Sequence, residues 1–344
     1  MPLRFGIASG IPDLPGKTHA ELYRDTITMV EAAEDLGFDT CWFTEHHFSR
    51  HGVDSAVLTM MAGLARHTRR IRLGTAVSVL PFWNPVRLAE EVAVVDILSD
   101  GRFEFGVGSG YRVHEFTGLG VDPDLRTPLF LEGLAVLEQV WSGEPFTHQG
   151  EFNQIECRGL RPLPVQRPHP PLWVAAQSEA GVRWAGEHGA GWMFAILPGQ
   201  TLEHHRPARD LYLESVAPTG TTPRVYFQIQ ACVADRPTAQ VRAEAEPWVR
   251  WWFEAVNLGE TVFNRGQNTP LIPQNALDHF FEKGFHGSPD HVLRQIEEYA
   301  RFGITDFSFQ VAFGPPIDRI LETLETLAKH VLPEARRFTP VATK

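Results

Sequence analysis

Cysteine is scarce in this chain of 344 residues. Cys41, Cys157 and Cys232 are odd in number, scattered, and form no C-x-x-C spacing. That excludes a disulfide scaffold or a cysteine zinc site and makes a reducing cytoplasm the expected compartment. A positive excess is also missing. Lys plus Arg number 31 against 42 Asp plus Glu, a net charge of −11, which argues against nucleic-acid or anionic-membrane partners. No apolar run reaches the length of a membrane span, and Met1 to Gly6 lacks the basic and apolar pattern of a signal peptide. Low-complexity linkers and shifts of composition are absent, so one domain over 1–344 is expected. What is present is a globular composition, 43% hydrophobic and 21% charged. A chain of this length buries roughly three quarters of its unfolded surface and needs no staple.

Short apolar strands alternate with amphipathic helices. The pattern predicts strands at Leu3 to Ser9, Thr40 to Glu45, Ile71 to Leu80, Phe103 to Val107, Leu172 to Ala176, Gly191 to Ile196, Val225 to Val233 and Asp306 to Phe313. Helices are expected at His19 to Leu36, Asp54 to Thr68, from Asn84-Pro85, Thr127 to Trp141, Ser178 to Glu187, from Thr238, Ser288 to Gly303, and Ile317 to Val331. The Pro- and Gly-rich stretch Glu144 to Gln166 has room for a hairpin, and Asn257 to His286 reads as irregular. Eight strands in one uninterrupted βα series point to a (β/α)8 TIM barrel with insertion loops. A doubly wound sheet would place Gly-x-Gly-x-x-Gly after its first strand, and Gly10-Ile11-Pro12-Asp13 does not fit.

Barrel active sites lie at the carboxyl ends of the strands, which selects candidates before any motif is consulted. Glu45-His46-His47 follows the second strand, with His51 close by. Three readings compete there: a metal ligand, a general acid or base titrating near neutrality, and a core histidine satisfied by a carbonyl. Adjacent residues on a strand point to opposite sides, which disfavours the metal; periodicity does not say which histidine faces the mouth. Gly106-Val107-Gly108-Ser109-Gly110-Tyr111 allows a backbone to approach a flat ring or a phosphate, although a tight turn would look the same. Ser178 stands where a strand becomes a helix, either as an ordinary cap or as one side of an anion site with the free amides behind it. Together the two features favour a flat, phosphorylated cofactor. Trp248, Trp251, Trp252 and Phe253 precede the irregular segment, which suits either core packing or a lid beside an apolar pocket.

Several ordered segments resemble the bacterial luciferase-like flavin monooxygenase family. They are Cys41 to Phe48 (C-W-F-T-E-H-H-F), Arg72 to Val77, Asn84 to Glu91, Asp96 to Phe103, Pro170 to Ser178 and Gly287 to Val292. The resemblance implies a (β/α)8 barrel that binds reduced FMN delivered by a separate flavin reductase. It implies activation of O2 as a flavin peroxide that oxidises a small organic substrate, and a homodimer formed through the second and third helices. By position, His46 matches the catalytic histidine and Ala76-Val77 a non-prolyl cis peptide beneath the flavin ring. Ala176, Gln177 and Ser178 match the stretch that meets the ribityl chain and phosphate. Glu45, Gly108, Ser109 and Tyr111 complete the expected cofactor site, with no metal.

This chain also departs from luciferase itself, which has an arginine where Ser109 stands, a cysteine at Gly108 and a glutamate at Gln177. Those departures weigh against light emission and an aldehyde substrate, and they shift the phosphate onto Ser178 and helix amides, with Arg126 or Arg183 assisting. A sibling branch uses deazaflavin F420 for hydride transfer on the same barrel. Its glycine-rich fifth strand end is not the Ala176-Gln177-Ser178 of this chain, which favours FMN. The alternatives are thus an F420-dependent oxidoreductase and a catalytically silent flavin-binding protein.

Overall fold

A computed structural model describes residues 2–196, 200–257, 261–264, 267–270, 281 and 284–340, with the backbone course alone at 255–257, 261–264 and 267–270. Eight parallel strands form a closed barrel: β1 (Arg4–Ser9), β2 (Thr40–Phe43), β3 (Arg72–Thr75), β4 (Phe103–Gly108), β5 (Leu172–Ala175), β6 (Gly191–Phe194), β7 (Val225–Val233) and β8 (Asp306–Ala312). Neighbours pair in chain order, β6 pairs β7, and β8 pairs β1, which closes the ring without an edge. These are the eight strands expected from the sequence. A short strand, Phe285–Gly287, adds to β7.

The main helices among the described residues are α1 (His19–Asp35), α2 (Val57–His67), α3 (Pro85–Leu98), α4 (Val113–Gly118), α5 (Arg126–Val140), α6 (Glu179–Glu187), α7 (Arg206–Val216), α8 (Thr238–Asn257), α9 (Pro289–Phe302) and α10 (Ile317–Thr326). Local chemistry sets several ends. Thr18 and Glu21 form a reciprocal capping box on α1, and the Asn84 side chain accepts from the amides of Val86 and Arg87 ahead of α3. Gly303 ends α9 in the left-handed region at φ 110°, where a side chain would be strained.

Five strands converge inside the barrel on Ala8, Trp42, Trp173, Met193 and Tyr226, all buried. The Trp42 and Tyr226 rings meet edge to face at 4.9 Å, and Trp42 and Trp173 at 5.5 Å. The amino-terminal ends are closed by charge. Glu104 accepts from Arg4 and Arg72 at 2.6 Å and from the Trp173 indole at 2.7 Å, while Arg4 also reaches Asp306. The flanking guanidiniums outweigh burial and hold the Glu104 carboxyl down at about 2. A cavity lies at the opposite, carboxyl end of the strands.

The structure corrects the expected elements at several points. The strand foreseen over Ile71 to Leu80 is interrupted after Thr75, where Ala76-Val77 is cis, and resumes only at Ser78–Val79. The helix foreseen through Val331 changes to a wider π turn at Leu327–Val331. Helices α4 and α7 were not foreseen, and the expected hairpin is Phe146–Gln149 paired with Gln154–Cys157. Much of Asn257 to His286, including the suggested lid, lies outside the described residues; the part described includes Thr261–Asn264 paired with Gln267–Pro270. No helix among the described residues is long and apolar enough to cross a membrane.

Candidate active site

A cavity of about 640 Å³ opens at the carboxyl ends of the strands. Glu45, Ala76, Val77, Gly108, Ser109, Tyr111, Ala176, Gln177 and Ser178, the nine residues expected at a cofactor site, all line it, as does His46, the residue expected to be catalytic. Between the two neighbouring histidines, His46 lines the cavity and His47 does not.

The floor follows from close backbone approach. The Thr75 hydroxyl donates to the Gly106 carbonyl at 2.7 Å and accepts from the Gly106 amide at 3.0 Å, tying β3 to β4 just before Ala76. A Cβ at Gly106 would lie 1.9 Å from the Thr75 carbonyl oxygen, so only glycine permits this contact. A Cβ at Gly108 would meet Val77 Cγ2 at 2.7 Å, so the flat apolar surface at Val77 depends on the bare backbone opposite it. Glu45 braces the same place. Its carboxylate accepts from the Val79 amide at 2.8 Å and from the Trp83 indole at 3.1 Å. Glu45 therefore shapes the floor as much as it faces the cavity.

His46 is held by a residue that sequence reasoning missed. Its Nδ1 lies 2.9 Å from Glu115 Oε1, which also accepts from the His47 amide at 3.0 Å. A carboxylate that accepts at Nδ1 leaves the lone pair of the neutral ring on Nε2. The histidine expected to titrate near neutrality is displaced: burial, then the nearby Arg112 charge, pushes His46 well below its usual value. Burial raises Glu115 in turn, against the His47 amide that favours its charged form. Helix α4, which carries Glu115, has only six residues, too few to show periodicity, and the buried Arg112 stands just before it as its cap residue. His51 packs edge to face on His46 at 4.7 Å, and Trp252 packs on His51 at 5.3 Å.

The polar end of the cavity is neutral or positive. Ser178 caps α6, its Oγ accepting from the Gly181 amide at 3.3 Å, and it is exposed at the helix N-terminus. Ser109 Oγ accepts from Arg126 at 3.3 Å, and Arg126 also donates to the Gly110 carbonyl at 3.2 Å. Of the two arginines expected to assist an anion, Arg126 lines the cavity, whereas Arg183 pairs with Glu179 at 3.0 Å outside it. Exposed amides, a hydroxyl and a guanidinium are a donor set for a phosphate, and the α6 dipole adds to it.

The family model of the luciferase-like monooxygenases matches residues 3–306. The chain is 27% identical over 333 residues to the oxygenase component of the flavin-dependent trigonelline monooxygenase of Acinetobacter baylyi, covering 92% of this chain and 91% of that protein. It spans about half the length of an uncharacterised protein of Sinorhizobium fredii, 39% identical over 173 residues, 50% of this chain and 49% of that one. Among solved structures, the monooxygenase RslO1 of Streptomyces bottropensis superposes with a TM-score of 0.85 at 25% identity, covering 96% of this chain and 99% of that one. Two others share the fold. They are the oxygenating constituent of the Pseudomonas putida 3,6-diketocamphane monooxygenase with FMN (TM-score 0.77, 18% identity, 97% and 99% covered) and the F420-dependent tetrahydromethanopterin reductase of Methanopyrus kandleri (0.71, 17%, 97% and 99%).

Proposed function

From the premise that this chain belongs to the luciferase-like monooxygenase family, we propose that it is an FMN-dependent monooxygenase that takes reduced flavin from a separate reductase and oxidises a small organic substrate with O2. One observation carries the reading. A single cavity joins a flat apolar floor at Ala76-Val77 and Gly108, a phosphate-type donor set at Ser178, Ser109 and Arg126, and a buried histidine fixed by a carboxylate. The floor and donor set fit a flat ring with a terminal phosphate, since a Cβ at Gly108 would crowd the floor. Ala76, Val77 and Gly108 would hold the ring, and Ser178, Ser109, Arg126 and the first amides of α6 the phosphate. When bound, reduced FMN supplies the electrons for the reaction of O2.

His46 is the residue this chain offers for proton movement. With Nδ1–H donated to Glu115, its Nε2 accepts a proton from the cavity side, and Glu115 stabilises the imidazolium that results. A homodimer suits the exposed Val94, Ile97 and Leu98 of α3. The relative named as an oxygenase component supports a separate reductase. Anaerobic titration with reduced FMN, oxidised FMN and F420 tests the reading. Reduced FMN should bind at least tenfold more tightly than F420, and tighter binding of F420 would replace the monooxygenase with a hydride-transfer enzyme.

A further inference from the structure

The mouth of the barrel carries polar groups that neither the floor, the anion end nor His46 uses. On β7 the two-residue period places Tyr226, Gln228 and Gln230 on one face, and Tyr226 belongs to the interior cluster, so all three face the barrel axis. On β8 the same rule turns Gln310 inward, and Gln230 and Gln310 sit at the same level as direct partners in the ladder. Ala8 is the next neighbour of Gln310 across β1, which leaves space beside the pair.

Gln228 is oriented, since its Oε1 accepts from the Tyr226 hydroxyl at 3.1 Å. Gln230 is not. It is 4% exposed, and neither its amide oxygen nor its amide nitrogen makes a hydrogen bond. Leaving a whole carboxamide unsatisfied inside a protein is costly, and native structures rarely do so without a reason. Gln230 and Gln310 both line the cavity. The terminal torsion of a glutamine is soft, so both amide atoms turn to a ligand without backbone movement. The strands around them contribute no charge: from β7 and β8 the cavity is lined by Tyr226, Phe227, Gln228, Ile229, Gln230 and Gln310.

We infer that Gln230, supported by Gln310, is a specificity-determining residue that binds a neutral, planar, aromatic substrate through an adjacent carbonyl and N–H, as in a lactam or primary carboxamide. A carboxamide presents one donor and one acceptor side by side, and a cis amide is its complement, so two parallel hydrogen bonds form. The aromatic side chains of Tyr226 and Trp252 on the cavity suit a flat ring. A carboxylate would find no cation on these strands and would meet the Gln230 oxygen unpaired. The inference rests on the monooxygenase reading of the cavity, because it assigns the cofactor to the other side.

The test is binding of pyridone, quinolone and benzamide to the protein, each beside its N-methylated counterpart and an aromatic carboxylate, with and without reduced FMN under anaerobic conditions. The free amides should bind about tenfold or more above the methylated forms, the scale of a lost hydrogen bond at a buried site. Gln230→Leu should erase that preference while reduced FMN binds within about twofold of the parent. Equal binding of free and methylated amides by the parent protein overturns the inference without needing any variant. A Gln230→Leu protein that is folded but loses FMN affinity also overturns it, by assigning the amide to the cofactor. If the parent binds no FMN yet still prefers free amides, the amide site stands and the cofactor reading falls.

Discussion

Removing the Ser178 hydroxyl separates a helix cap from a phosphate ligand. Ser178 Oγ accepts from the Gly181 amide at 3.3 Å, a long bond at an exposed helix end. An N-cap Ser→Ala change costs about 1 kcal/mol on average, and this geometry points to the lower part of the range, about 0.5 kcal/mol of stability. A hydroxyl accepts and donates at once, so the same Oγ keeps a proton for a phosphate oxygen. A hydrogen bond to a charged group is worth about 1–2 kcal/mol, or roughly 5–30-fold in Kd. Ser178→Ala should therefore weaken FMN by that factor and leave riboflavin unchanged. Ser178→Gly sharpens the comparison, because glycine at an N-cap costs only a few tenths of a kcal/mol. It should lose FMN affinity as the alanine variant does, with a denaturation midpoint close to the parent. Flavin fluorescence quenching against FMN and riboflavin, with urea denaturation alongside, reads both quantities. A glycine variant that binds FMN like the parent, or equal losses for FMN and riboflavin, would show that Ser178 is a cap and nothing more.

His46→Ala should keep FMN bound within a few-fold and lower coupled turnover by about 10²–10⁴, the range of general acid–base catalysis, with O2 released as hydrogen peroxide; an active His46→Asn variant, measured by product per O2 consumed, would remove the imidazole from the mechanism. Because burial holds His46 neutral across the usual assay range, the turnover profile between pH 6 and 9 should show no inflection from it, whereas Glu115→Gln should lower turnover about tenfold by halving a charge-assisted bond, without moving FMN affinity. Asp54 is fully buried, with Oδ2 accepting from Thr44 at 2.7 Å and Oδ1 unpartnered, and burial raises it to about 8. Its folded value lies above the unfolded one, so the folded state holds the extra proton and stability falls as pH rises from about 4 to about 8. Asp54→Asn should flatten that part of a denaturation-against-pH curve, and parallel curves for parent and variant would contradict the assignment. Gly108→Ala places a Cβ 2.7 Å from Val77 Cγ2 and should weaken FMN and riboflavin alike, by equilibrium titration.

The barrel was legible because its strands are apolar runs separated by helices with written ends. Asn84-Pro85 and Ser178 are cap signals that act locally, and they act in the structure as the residues imply. Glu115 was not legible. Its helix is six residues long, and its partner His46 is 69 positions away, a pairing that only barrel closure creates. Helix α7 was overlooked although Leu211 and Leu213 pack on the core, because Arg206-Pro207 opens it after a stretch without alternation. The alternation of β7 was visible, yet it does not say which face lines the barrel; the inward set containing Gln230 emerges only from Tyr226 meeting Trp42 and Trp173. The break at Ala76-Val77 came from family resemblance, since Ile71 to Leu80 reads as an unbroken strand by composition.

The most direct test of the account is a crystal structure of the protein with FMN bound. The isoalloxazine ring should lie against Ala76-Val77 and Gly108, the phosphate within hydrogen-bond distance of Ser178 and the first amides of α6 with Arg126 beside it, and His46 should still be bonded to Glu115. A ring bound away from Ala76-Val77, or a phosphate held elsewhere than at the α6 N-terminus, would contradict it.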